Sequence, residues 1–185
     1  MDPTTGIMYV SSNMGCSAGL VAPGIDSDDA DDPFTTGTTV ADWVRGPGGR
    51  LNGPQGLPIF KPPYSRLTAV DMNSGEHLWW VPTGETPNQV KNHPALQNVD
   101  LSRTGGGGPA ISMVMGDLVV MTDGRRGDSV LHAINKRTGD RLGTVEIPSN
   151  GQYGMMTYLH DGKQFVVVQI GGAEYPSSLV ALALP

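Results

Sequence analysis

The sequence predicts an all-β chain built from repeated four-stranded antiparallel sheets. Three observations point there. Apolar segments alternate with period two, and no segment sustains a helical pattern over ten residues or more. Gly 26 and Pro 15 together make up about a fifth of the 185 residues without a collagen period, which suits short strands joined by turns. One hairpin is also written twice: "LTAVDMNSGEHLWW" at 67–80 returns in worn form as "LHAINKRTGDRLGTV" at 131–145.

The elements follow in order. "DPTTGIMYV" is a proline-initiated turn running into a strand at 6–10. Strands are then expected at 66–72 and 76–81, joined by Asn73-Ser74-Gly75 with glycine at the left-handed position. A second group comprises 110–115, 118–122, 130–135 and 142–147, with Gly116-Asp117 and Arg137-Thr138-Gly139 as turns. A third comprises 154–159, 164–170 and 179–184, with Asp161-Gly162 as a tight hairpin turn. With the strands of one unit named A to D, the middle group is complete, the first holds B, C and D, and the last holds A, B and C. Four-stranded repeats of about 40–50 residues are the signature of a β-propeller. The expected architecture is an open propeller segment of about two and a half to three four-stranded blades. Residues 1–82 form an incomplete blade with a long loop insertion at 11–64, 83–108 a loop, 109–148 a complete blade and 149–185 an incomplete last blade. Both long connections leave the same face of an up-and-down sheet, where long loops on a rigid scaffold usually carry function.

Composition removes several functions. The net charge of −6 offers no footprint for nucleic acid. No apolar run approaches the roughly 18 residues that span a bilayer, and "MDPTTGIMYV" has neither the basic nor the apolar region of a signal peptide. The single cysteine, Cys16, excludes an internal disulfide, and Cys-x-x-Cys-His is absent. The histidines, His77, His93, His132 and His160, are scattered without zinc-ligand spacing, and no nucleophile signature occurs. "DSDDADD" at 26–32 lacks the glycine and spacing of an EF-hand and reads as a solvated acidic loop. Trp43 reads as a loop aromatic. Glycines 105–108 are no phosphate cradle, because a strand follows them and no Gly-Lys-Ser/Thr closes the motif.

"AVDMNSGEHLW" resembles the tryptophan-docking motif of quinoprotein dehydrogenases, alanine-x-aspartate-x-x-x-glycine-x-x-x-tryptophan, carried here by Ala69, Asp71, Gly75 and Trp79. "GLPIFKPPYSRLTAVD", "GGGGPAIS", "HAINKRTGDRL", "MMTYLHDGKQFVVVQIGG" and "LVALALP" extend the likeness, in order, over nearly the whole chain. They resemble the C-terminal part of the membrane-bound glucose-dehydrogenase branch. That family carries pyrroloquinoline quinone (PQQ) in an eight-bladed propeller, and its indole packs against the next blade. The second copy departs from the motif: Gly143 replaces the tryptophan and Asn135 the aspartate, so a weaker blade contact is expected there.

The resemblance implies an oxidoreductase fragment acting on CH–OH groups, periplasmic, using PQQ and calcium in the complete enzyme with a ubiquinone-type acceptor. In that family the catalytic aspartate, the calcium ligands and the basic residue at the quinone carbonyls belong to upstream blades. No catalytic or metal-ligating residue is therefore expected in this chain, which alone binds no cofactor. Cofactor-proximal loop positions are Lys61, Thr104, Gly105 and Gly106, weighed against a solvated lysine and tight backbone packing. The alternative function is a non-catalytic propeller scaffold or protein-binding module. Either way, the cut sheets call for the remaining blades or a second copy of the chain as partner.

Overall fold

The computed structural model describes residues 1–23, 43–172 and 174–183. Its strands are β1 (Ile7–Asn13), β2 (Cys16–Pro23), β3 (Trp43–Leu51), β4 (Ser65–Asp71), β5 (His77–Pro82) and β6 (Ser112–Met115), followed by β7 (Leu118–Thr122), β8 (Val130–Asn135), β9 (Arg141–Glu146), β10 (Gly151–His160), β11 (Lys163–Ile170) and β12 (Ser178–Ala183). Helix among the described residues is limited to α1 (Asn88–Lys91) and two 3-10 turns at Pro54–Gly56 and Pro94–Leu96. Two compact units result, Met1–Met14 with Lys61–Pro185, and Gly15–Phe60.

The larger unit holds three antiparallel sheets, ordered β1-β4-β5, β6-β7-β8-β9 and β10-β11-β12. An all-β propeller segment, open rather than closed, is what the repeat pattern predicts. In the middle sheet Val119 lies opposite Ile134 and Met121 opposite His132, while Val120 meets Ala133 and Thr122 meets Leu131. Side chains alternate across a strand, so these pairs fall on opposite faces. One face packs Val119, Met121 and Ile134 with Leu67 of the first sheet, all fully buried, with Tyr9, Trp79, Val81 and Val114 around them. The other packs Leu131 and Ile147 with Val168 and Ile170 of the last sheet. "LVVM", residues 118–121, is a continuous apolar run because both faces of β7 are covered.

The turns are those that glycine and aspartate permit. Asp161 and Gly162 both take positive φ (49° and 76°) between β10 and β11, the twist that suits a two-residue hairpin.

The smaller unit differs from the sequence expectation. The insertion at 11–64 contains a hairpin, β2 paired with β3 from Cys16↔Leu51 to Pro23↔Trp43, with a register shift between Gly19 and Val21. Residues 11–13 belong to β1, and Trp43, expected in a loop, opens β3 with its ring exposed. Gly46, Pro47, Gly48 and Gly49 made this stretch read as turn. A Cβ at Gly48 would collide with the Ala18 carbonyl oxygen, so glycine marks a close strand approach there. The acidic run at 26–32 lies outside the described residues.

Candidate functional site

At one end of the first two sheets, β4 begins, β5 and β7 end, and β8 begins. The connection 83–111 crosses this end and carries the glycine run. Ser65 ties it down: its one hydroxyl proton lies between the carbonyls of Gly105 (2.8 Å) and Thr83 (3.0 Å), and its oxygen accepts from Gly108 N–H (3.1 Å). Thr83 Oγ1 donates to Gly108 O at 2.9 Å, and Gly106 N–H reaches Glu85 O at 2.7 Å. Gly105 has φ +79°, and a Cβ there would strike the Ser65 carbonyl oxygen. Glycine is required at this position by both conformation and space.

Beneath the loop lies a buried ionic cluster. Asp123 and His132 are 0% and 3% exposed. Asp123 Oδ1 accepts from Gly84 N–H (2.8 Å), Arg103 Nη2 (3.0 Å) and His132 Nε2 (3.0 Å), and Oδ2 from Asp128 N–H (3.3 Å). His132 Nδ1 lies 2.9 Å from Thr144 Oγ1, and Arg103 Nη1 lies 2.6 Å from Glu85 Oε1. Burial alone would raise the Asp123 carboxyl. The hydrogen bonds from His132 and Gly84 and the Arg103 charge outweigh it, leaving Asp123 below the usual carboxylate range. This carboxylate holds its surroundings in place; it is not a free base.

The cofactor-proximal candidates converge only in part. Thr104 is buried, its hydroxyl on Thr86 Oγ1 (3.0 Å), and its carbonyl accepts from Tyr64 N–H (2.8 Å). The segment leading from Lys61 into β4 thus meets the glycine loop. Lys61 itself is exposed, beside a cis Pro62–Pro63 bond. Cβ atoms at Gly105 and Gly106 would meet protein rather than open space, Ser65 backbone in one case and Glu85 and Pro87 in the other. These residues by themselves do not form a seat for a planar tricarboxylate such as PQQ. Among the described residues no group of three or more His, Cys, Asp or Glu side chains could hold a metal ion.

Sequence reading missed Asp123, His132, Arg103, Glu85 and Ser65. "TDGRRGD" reads as turn chemistry, and His132 stands alone in sequence. Only the alternation that places His132 on the face of Met121 could have pointed inward.

The quartet Ala69, Asp71, Gly75 and Trp79 builds a second local arrangement. Asp71 Oδ1 accepts from Asn73 N–H (2.8 Å), and Gly75 turns at φ +77° to donate to Asp71 O (2.7 Å). Ala69 is fully buried. Trp79, partly buried, reaches across to the middle sheet, where its Nε1 donates to Lys136 O at 3.1 Å. The same carbonyl accepts from Tyr9 Oη at 3.1 Å, and the two rings lie 5.7 Å apart. Gly139 (φ +80°) underlies the indole: a Cβ there would approach Cδ2 and Cε3 to 2.9 Å.

Comparison with known proteins places the chain as a whole. Residues 1–166 match the family described as "PQQ: Glucose/ethanol/alcohol dehydrogenase, beta-propeller domain". The chain belongs to that family. Quinoprotein glucose dehydrogenase A of Acinetobacter calcoaceticus is 34% identical over 137 residues, 71% of this chain and 17% of the relative. The quinoprotein glucose dehydrogenase of Escherichia coli (strain K12) is 32% identical over 141 residues. The chain therefore spans about a sixth of these dehydrogenases. In fold it resembles the crystal structure of quinohemoprotein alcohol dehydrogenase from Comamonas testosteroni, at a TM-score of 0.61 and 18% identity, covering 98% of this chain and 24% of that one.

Proposed function

We propose that these sheets are part of the propeller of a PQQ-dependent dehydrogenase oxidising a sugar or an alcohol, in the periplasm, with calcium beside the cofactor and a ubiquinone-type acceptor. The match of residues 1–166 to the PQQ propeller family carries this reading, and the glucose-dehydrogenase relatives give it its direction. PQQ supplies the redox chemistry when bound, taking up a hydride equivalent from the alcohol carbon. The share of this chain is positional. Ala69, Asp71, Gly75 and Trp79 act as the family's docking motif between sheets, and the loop carrying Thr104, Gly105 and Gly106 lies near the cofactor without holding it alone. The catalytic base and ion ligands come from other blades.

These blades also need partner surface. Leu159, Leu179 and Tyr153 of the last sheet are 73%, 74% and 69% exposed, an apolar share that supports docking of further blades or a second copy. The test is a dye-reduction assay with glucose or alcohols, PQQ and calcium. The chain alone should give no turnover above free cofactor, and the propeller that includes it should turn over. Turnover by the chain alone would show that its own residues catalyse.

A further inference from the structure

The connection from β7 to β8, "DGRRGDS" at 123–129, interlocks with the glycine run. Gly124 turns at φ +86°, and a Cβ on it would strike Gly107 O; a Cβ on Gly107 or Gly127 would strike Asp123 O. Backbone therefore packs directly on backbone here, which only glycine allows. Arg126 N–H donates to Gly107 O at 2.9 Å, and Asn150 Nδ2 donates to the carbonyls of Arg125 (3.2 Å) and Gly127 (3.0 Å). The loop is thus fastened to its neighbours on both sides, and its two consecutive arginines are exposed.

The Arg125 side chain is fixed at two points. Its Nε donates to Gln152 O at 3.0 Å, and its guanidinium carbon stands 4.7 Å over the centre of the Tyr153 ring. Tyr153 is presented by a bulge in β10, where the register against β11 shifts between Gly151 and Met155. Arg126 Nη2 lies 3.6 Å from where a Cβ of Gly108 would stand, against the glycine run. Among the described residues the terminal nitrogens of Arg125 and the whole Arg126 guanidinium have no hydrogen-bond partner. The nearby acids are committed elsewhere: Asp123 is buried on Gly84, Arg103 and His132, and Glu85 pairs with Arg103. Asp128 is exposed, gives its N–H to Asp123 Oδ2 and, among the described residues, pairs with neither arginine. Two adjacent guanidiniums without an acidic partner suit an oxyanion, and the planar fork matches a carboxylate bidentately. Ordering Arg125 in advance lowers the cost of binding one.

We propose that Arg125 and Arg126 form a carboxylate subsite, and that the alcohol oxidised is a polyhydroxy acid rather than a neutral sugar. Arg125 supplies the fork, Tyr153 holds its plane, and Arg126 adds a second charged donor beside the glycine run. The substrate class rests on the reading of these sheets as part of a PQQ-dependent dehydrogenase; the subsite itself does not. Its residues all belong to this chain, so binding is measured without turnover.

The full chain is titrated with gluconate, glucose and PQQ in turn, near neutral pH and at constant ionic strength, while NMR follows the arginine Nε–H signals. Gluconate should shift Arg125 and Arg126 and leave Arg103 unmoved; glucose should shift none of them. Arg125→Gln should weaken gluconate binding about tenfold, the loss of one hydrogen bond to a charged group. Arg125→Lys should lose nearly as much, because an ammonium keeps the charge without the fork. Arg126→Gln, which leaves the Tyr153 contact intact, should weaken binding less. No shift with gluconate, or binding that survives Arg125→Gln, would overturn the subsite. PQQ moving the same signals at lower concentration than gluconate would assign the carboxylate to the cofactor and overturn the substrate class. In the propeller that includes this chain, Arg125→Gln should raise KM for the acid about tenfold and leave KM for a neutral sugar unchanged; equal effects on both would contradict the substrate class. A propeller inactive toward every alcohol, with gluconate still bound by the chain, would remove the substrate class together with the dehydrogenase reading and leave the subsite standing.

Discussion

The middle sheet is held on its two faces by different means. Towards the first sheet, fully buried Leu67, Val119, Met121 and Ile134 are joined by the Tyr9–Trp79 pair on the Lys136 carbonyl and by a buried Lys136 Nζ–Asp2 Oδ2 contact at 3.1 Å. Towards the last sheet, Leu131, Ile147, Val168 and Ile170 form the core. The polar ties there are loop contacts, Ser129 Oγ to Asn150 Oδ1 at 2.5 Å and Asn150 Nδ2 to the carbonyls of Arg125 and Gly127. Position 143, where the repeat would place its tryptophan, holds a glycine with open space where a Cβ would stand. The two faces bury similar apolar groups. What separates them is a directional anchor: an aromatic ring pair with a hydrogen-bonded end fixes the angle between sheets as well as their distance.

Removing that anchor should cost most. Trp79→Ala is expected to destabilise the chain by about 3 kcal/mol, the low end for a large aromatic because the ring is only partly buried. Urea unfolding measures it. Gly139→Ala should cost about 2 kcal/mol, roughly half from positive φ and half from the contact with the indole. Gly75→Ala, at φ +77° with nothing within 4 Å of a Cβ, carries only the first part, about 1 kcal/mol. Equal losses at the two glycines would remove the indole from the explanation.

A smaller effect is confined to acid. The Thr4 hydroxyl, and after it the Lys136 ammonium, hold the Asp2 carboxyl well below the usual carboxylate range. A carboxyl lowered on folding contributes stability above its unfolded value near 4 and loses it as pH falls through the folded value. Asp2→Asn should therefore flatten the acid limb of a stability–pH curve and leave a residual slope from Asp123. Smallest is Gly143→Ala. With open space at the site it should be neutral or stabilising by about 0.5 kcal/mol, since glycine in a strand carries an entropic cost.

Much of this was legible in the sequence because hairpins advertise themselves locally. The turn at 73–75, the Asp-Gly at 161–162 and the alternation of β7 and β8 each need only neighbours a few residues apart. The replacement of the motif aspartate by Asn135 has a smaller consequence than the sequence suggests. Asn135 Oδ1 caps its turn by accepting from Arg137 N–H at 2.9 Å, much as Asp71 does in the first copy, so the change leaves the turn intact. The Trp-to-Gly change is the one that leaves open space, since nothing lies within 4 Å of a Cβ at Gly143. The hairpin β2–β3 was hidden because Gly and Pro punctuate β3, and its pairing joins residues from Pro23↔Trp43 out to Cys16↔Leu51 across a long connection. The cluster around Asp123 was hidden for the same reason: Gly84, Arg103 and His132 converge only after three segments meet.

The central claim is that the first and middle sheets form the tighter pair. Native-state hydrogen exchange by NMR in graded denaturant tests it most directly. The account predicts that β11 amides open by a sub-global event at lower denaturant while β4, β7 and β8 still exchange together through global unfolding. Opening of β4 before β11, or a single shared transition for all three sheets, would contradict it.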